Sequence, residues 1–95
     1  MQDIRMLREQ LDQIDREIIG LLEKRLEVSR EVARWKRTMG LPILDAGREE
    51  QVLETRAAML REPERREDVR TLFRDIMAMS RAEQETVLQE EQKNA

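Results

Sequence analysis

The chain is 95 residues long, 41% charged and 39% hydrophobic, with a formal net charge of −3, which bounds it to one small domain with a thin core and argues against nucleic acid as a partner. It has no cysteine and no histidine, so thiol chemistry, imidazole acid–base catalysis and most transition-metal sites fall away. No apolar run approaches the roughly 20 residues of a membrane span, and the opening MQDIRMLREQ lacks a signal-peptide core, so a cytoplasmic protein with no membrane contact is expected.

Trp35 and Phe73 are the only aromatic residues, and three glycines with two prolines leave few turns. Few, long helices are the consequence, in a single domain over residues 1–95. The first helix is expected over residues 3–38. Ile4, Leu7, Leu11, Ile14, Ile18, Leu21, Arg25, Val28, Val32, Trp35 and Met39 recur at spacings of three and four, a heptad seam that faces a partner and excludes water. One member of the seam is an arginine, and a lone guanidinium there is costly unless something anionic pairs with it. Lys36 follows Arg25 by eleven residues, close to three full turns, so both cations point the same way. Ser29 and Val32 lie between them as a small floor, and two long cations over that floor read as a pocket for a small anion. The blander account of Arg25 is a register device or a partner for a buried glutamate. Asp12–Arg16, Glu27–Arg30 and Glu31–Arg34 read as surface ion pairs.

Gly40 and Pro42 end the first helix. Residues 40–44 form a short loop, and Asp45 is a good N-cap for a second helix over residues 46–62, with Val52, Leu53, Ala57, Met59 and Leu60 as its apolar residues and Pro63 as its stop. A third helix is expected over residues 64–91. Its buried face is Val69, Leu72, Phe73, Ile76, Met77, Val87 and Leu88, and Ser80 and Gln84 continue that face. The tail from about residue 91 is expected to fray. A first helix of about 36 residues is roughly 54 Å long, whereas a compact domain of this size has a radius of gyration of about 12 Å. The helix overshoots any core the chain can form alone, so a homodimer that covers the rest of the seam is expected.

Polar residues on otherwise buried faces form one set: Arg25 and Lys36 on the first helix, Asp45, Arg48 and Glu49 at the start of the second, Ser80 and Gln84 on the third. Each has a simpler explanation alone. Ser80 can bond back to its own helix backbone, Asp45 is first of all a cap, Gln84 can lie near an exposed end, and Arg48 and Glu49 can be solvated.

Taken together, these residues resemble the all-helical class of chorismate mutases. The resemblance covers nearly the whole chain: the opening LREQLDQIDREIIGLLEKR, the lysine in EVARWK, the loop segment LPILDAGREE, and LFRDIMAMSRAEQ in the third helix. No single piece is specific, but the ordered set Arg8, Arg25, Lys36, Asp45, Arg48, Glu49, Ser80 and Gln84 falls where that family places its active-site residues, with no departure. The connection between the second and third helices looks one residue shorter than in some relatives, which touches no site position.

The resemblance implies an all-α fold, three helices per chain in an intertwined homodimer, and the rearrangement of chorismate to prephenate on the route to phenylalanine and tyrosine. That reaction is an intramolecular [3,3] Claisen shift, for which no metal or cofactor is expected. By the same resemblance, Arg25 and the partner subunit's Arg8 clamp the two carboxylates. Lys36 touches a carboxylate and the ether oxygen, and Gln84 donates to that same oxygen. Glu49 accepts from the ring hydroxyl, assisted by the backbone of Asp45. Ser80 seats a carboxylate, and Arg48 organises the mouth of the site. Two rivals stand beside this reading: isochorismate-pyruvate lyase, which shares the fold and the anion pocket, and a non-enzymatic helical dimer with a regulatory or scaffolding role. Fusion or association with another enzyme of the aromatic pathway is a further expectation of the resemblance.

Overall fold

The computed structural model describes residues 3–93. Three α-helices follow one another: α1 (Ile4–Met39), α2 (Ala46–Met59) and α3 (Arg66–Lys93), with one 3₁₀ turn at Pro63–Arg65 between α2 and α3. None of the described helices is long and apolar enough to cross a membrane.

The ends of α1 follow from local chemistry. Asp3 is the N-cap, its carboxylate accepting from the Met6 N–H at 3.0 Å. Gly40 closes the helix at φ 70°, a left-handed conformation that costs glycine little. The Gly40 N–H donates to Arg37 O at 3.2 Å and the Leu41 N–H to Lys36 O at 2.8 Å, which satisfies carbonyls of the last turn. At the start of α2 the Asp45 carboxylate accepts from the Arg48 N–H at 3.0 Å, the expected cap.

Three boundaries differ by two residues or more from the sequence-based expectation: the end of α2 and both ends of α3, which starts at Arg66 rather than at residue 64. Helix α2 ends at Met59 rather than at residue 62. Pro63 forces Glu62 into an extended conformation (φ −90°, ψ 110°), as a residue before proline prefers, and the chain has already left the helix at Leu60 (φ −77°, ψ 131°). Pro63 then opens the 3₁₀ turn, where its missing N–H costs nothing. At the other end, residues 91–93, expected to fray, continue α3; residues 94 and 95 of that tail lie outside the described residues.

Within the chain, α1 packs on α3 and α2 packs on α3. The stripe of α1 that α3 covers is not the heptad seam. Leu22 and Leu26 are half-buried, and Ser29 and Ala33 are buried, while the seam residues Val28 and Trp35 are each 57% exposed. Residues 3–21 are exposed throughout. The radius of gyration is 17.1 Å and the longest extent 60 Å, well beyond the roughly 12 Å of a compact domain this size. Helix α3 buries Met77 and Val87 as expected, with Val69, Phe73, Ile76 and Leu88 half-buried, but Leu72 is exposed.

Ala33 is fully buried, and its small side chain lets α1 and α3 approach closely. Ala33→Leu inserts three carbons into that contact and is expected to lower stability by about 1–3 kcal/mol. A urea midpoint equal to the parent's would show that the spacing of α1 and α3 is not set at this residue.

An ionic strip also joins these helices. Arg30 bridges Glu83 at 2.5 Å and Glu90 at 2.9 Å, Arg34 pairs with Glu91 at 3.1 Å, and Arg37 pairs with the same Glu91. The expected pairs Glu27–Arg30 and Glu31–Arg34 therefore give way to contacts across helices. Arg16 bonds Gln13 at 3.3 Å rather than Asp12.

Candidate active site

One cavity of about 300 Å³ opens where all three helices meet, a size at the low end for small-molecule clefts. Helix α1 contributes Arg25, Val28, Ser29, Val32 and Lys36; the loop and the first turns of α2 contribute Ile43, Asp45, Arg48, Glu49, Val52 and Arg56; α3 contributes Met77, Ser80, Arg81 and Gln84. Seven of the eight residues expected from the sequence therefore line one space. The eighth, Arg8, lies on the exposed first half of α1 and does not line it.

Arg25 and Lys36 share the α1 stripe as their spacing predicted, with Ser29 and Val32 as the floor between them. Burial of the Arg25 guanidinium, with Arg56 and then Arg48 nearby, pushes its pKa below the ordinary arginine value. Such surroundings mark a cation held among cations, and a bound anion offsets the repulsion. Lys36 donates from Nζ to the carbonyl of Ile43 at 2.5 Å. An ammonium has three N–H donors, so this bond ties the loop to α1 and leaves two donors for the cavity.

On α3, Ser80 and Gln84 are buried, at 8% and 6% exposure, and the alternative of a solvated Gln84 falls away. Their hydroxyl and amide belong to one chain of bonds. The Ser29 hydroxyl reaches Arg25 O at 3.0 Å and the Ser80 hydroxyl at 2.6 Å, and Gln84 Nε2 reaches Ser80 Oγ at 3.2 Å. Gln84 Oε1 is buried with no hydrogen-bond partner among the described residues. An amide's oxygen and nitrogen are assigned from their bonds. The Ser29 proton goes to Arg25 O and the Ser80 proton to Ser29 Oγ, so the group facing Ser80 is the amide nitrogen, which keeps its second N–H for a ligand.

Helix α2 supplies the carboxylates. Asp45 is committed to its cap, and its carbonyl accepts from the Glu49 N–H at 3.0 Å. Glu49 stands in the first turn, where the helix dipole favours an anion. It is half-buried and bridged by Arg81 from α3. Arg48 donates to Gln51 at 2.7 Å and is exposed at the rim.

Sequence reasoning passed over Arg81 and Arg56 as site residues. Arg81 lies four residues after Met77 and three before Gln84, and Arg56 lies four after Val52. Those spacings place each on a cavity-facing stripe, which is the signal that finds them.

Three helices closed around a cavity lined by five cationic side chains and two carboxylates define a small all-α protein with a net cationic site. Residues 7–85 match the family described as chorismate mutase type II. The chain belongs to that family. Among solved structures it is similar to the chorismate mutase of Thermus thermophilus. In one form the identity is 35%, covering 86% of this chain and 93% of that one, at a TM-score of 0.82. In a second form the identity is 36%, covering 81% and 96%, at a TM-score of 0.76. A conserved hypothetical protein from Pyrococcus furiosus is 36% identical over 85% of this chain and 93% of its own, at a TM-score of 0.70. Among curated proteins, a 3-dehydroquinate dehydratase of Pyrobaculum aerophilum is 55% identical over 47 residues, half of this chain but 16% of that protein.

Proposed function

We propose that this chain is a chorismate mutase that rearranges chorismate to prephenate inside the three-helix cavity. The observation that carries the reading is the convergence of Arg25, Lys36, Asp45, Arg48, Glu49, Ser80 and Gln84, from three helices, on one cavity. An intramolecular rearrangement asks for restraint of the reactive conformer and stabilisation of charge that grows as the C–O bond breaks. Arg25 binds a carboxylate through its guanidinium fork. Lys36 and Gln84 aim donors at the ether oxygen. Glu49 accepts from the ring hydroxyl beside the Asp45 backbone, Ser80 seats a carboxylate, and Arg48 lies at the mouth.

The working unit is a homodimer. Ile4, Leu7, Leu11, Ile14 and Ile18 are between 43% and 58% exposed in one chain, and a second copy packed along that seam removes them from water. Arg8 precedes Arg25 by 17 residues, about 25 Å along the helix. It therefore enters the cavity of the other chain, as Arg8 of the partner subunit, to hold the second carboxylate. The match to a short part of a longer protein named for a dehydration supports the expectation that such domains are joined to other enzymes.

The test is incubation with chorismate and, separately, isochorismate, following the loss of ultraviolet absorbance and identifying products. Prephenate from chorismate is the expected result. Pyruvate release from isochorismate without prephenate formation overturns the reading in favour of the lyase, and no turnover of either favours the non-enzymatic dimer. Sedimentation of the parent chain reads the dimer directly.

Gln84→Glu separates donation from mere packing. A neutral amide donates at any ordinary pH, whereas a carboxyl donates only while protonated. As an anion it repels the charge growing on the ether oxygen. The variant's activity is expected to rise as pH falls, with its optimum displaced toward acid. A pH profile identical to the parent's would remove Gln84 from the ether oxygen.

A further inference from the structure

The ion pair in the cavity wall has no assigned role. Arg81 Nη1 lies 2.5 Å from Glu49 Oε1 and 2.6 Å from Oε2, and it joins the first turn of α2 to the middle of α3 across 32 residues of sequence. Both side chains are partly buried, at 37% and 25% exposure. We infer that Arg81 is a positioning residue that holds the Glu49 carboxylate against the α3 wall, where it can accept from the substrate's hydroxyl and stays off the cations that bind the substrate's carboxylates. This rests on the mutase reading.

The charges of the cavity require such a device. Arg25, Lys36, Arg48 and Arg56 line the same space as Glu49. A glutamate side chain has three rotatable bonds, and a carboxylate loose among four cations settles on one of them. There it competes with a dianionic substrate for the groups that must bind it. Pairing with Arg81 gives the carboxylate a partner that no other role requires. One guanidinium nitrogen spans both oxygens, and an ionised carboxylate offers about four lone-pair sites, so acceptor capacity remains for a hydroxyl. The pair also neutralises one of the five cationic side chains and one of the two carboxylates in the lining. What is left is a cationic cavity with Asp45 as its only other acid, already committed as the α2 cap.

The test is a double-mutant cycle. The constants kcat and KM for chorismate are measured on the parent, R81M, R81K, E49Q and the R81M/E49Q double variant, with the unfolding midpoint of each. R81M is expected to lower kcat/KM about tenfold, with a rise in KM, because the freed carboxylate competes with substrate. R81K, which keeps a cation near Glu49, recovers most of the loss. In the E49Q background no carboxylate remains to position, and R81M changes kcat/KM by less than about twofold. R81Q serves as a second neutral variant should R81M fold poorly. An equal loss in both backgrounds overturns the inference, since Arg81 then acts without Glu49. A value within about twofold of the parent for R81M alone overturns it as well. A lowered unfolding midpoint with KM unchanged assigns the pair to stability, which also overturns it. If the parent does not turn over chorismate, the mutase reading falls and this inference with it; if the parent turns over normally and the losses multiply, this inference alone falls.

Discussion

Lys36→Ala is expected to lower kcat by about 10²–10³-fold while the helices remain folded. Removing one preorganised donor from a site of developing negative charge costs about 2.7–4 kcal/mol in comparable sites, and an alanine offers nothing in its place. Lys36 shares its stripe with Arg25, lines the cavity, and keeps N–H donors free after bonding the Ile43 carbonyl. That bond supplies the control the variant needs. Its loss also frees the loop after α1, and a hydrogen bond of this kind is worth roughly 1–3 kcal/mol. A drop in the unfolding midpoint is therefore expected beside the drop in kcat. The two are separable, because a loosened loop raises KM and lowers stability without removing charge stabilisation from the transition state. A folded variant with kcat near the parent's would place the reacting oxygen elsewhere.

How much was legible in the sequence depends on how local each decision is. The ends of α1 rest on Asp3 and Gly40, each acting within its own turn. The cap of α2 rests on Asp45 in the same way. Arg25, Ser29, Val32 and Lys36 share a cavity because helical spacing alone aligns them. Ser80 and Gln84 were legible as polar interruptions of a face that should be apolar. The failures are non-local. Arg30 has Glu27 within reach on its own helix, yet it bridges Glu83 and Glu90 instead, because close packing of α1 on α3 presents two carboxylates at once. Glu49 and Arg81 belong to different helices, and nothing in either segment announces the other. The early end of α2 was not legible because Pro63 constrains Glu62 directly, whereas the chain leaves the helix two residues before that, at Leu60. The heptad seam was legible as one apolar stripe, but not as one that leaves α3 to a different stripe, of Leu22, Leu26, Ser29 and Ala33.

That division of α1 into two stripes bears on the chemistry. Had the seam packed on α3, Arg25 and Lys36 would be sealed inside a single chain. Instead α3 takes the Ser29–Ala33 stripe, and the cavity lies at the border between that stripe and the exposed seam. A second chain laid along the seam therefore passes the cavity mouth. In the proposed dimer, a side chain of the second chain reaches the cavity from the side of that exposed seam.

The proposed dimer shares each site between two chains, and sharing is testable by complementation. All α1 residues in the cavity lining lie at or beyond Arg25, whereas Arg8 lies among residues 3–21, which are exposed throughout one chain. Two side chains about 25 Å apart on one rigid helix cannot grip one small molecule. If Arg8 and Lys36 serve one substrate, they come from different chains. Arg8→Ala and Lys36→Ala homodimers are each expected to be nearly inactive, since each defect falls in both sites. In a mixed dimer, one site combines Arg8 from the Lys36→Ala chain with Lys36 from the Arg8→Ala chain and carries no defect, while the other carries both. Random assembly of equal amounts makes half the dimers mixed, each with one working site of two, so about a quarter of parental activity returns for a twofold assembly. The two variants are co-expressed or refolded together, so that mixed dimers form whatever the rate of subunit exchange. Mixed dimers counted by mass spectrometry set the expected recovery for each preparation. No recovered activity in a preparation with abundant mixed dimers would show that Arg8 does not serve the cavity of the other chain.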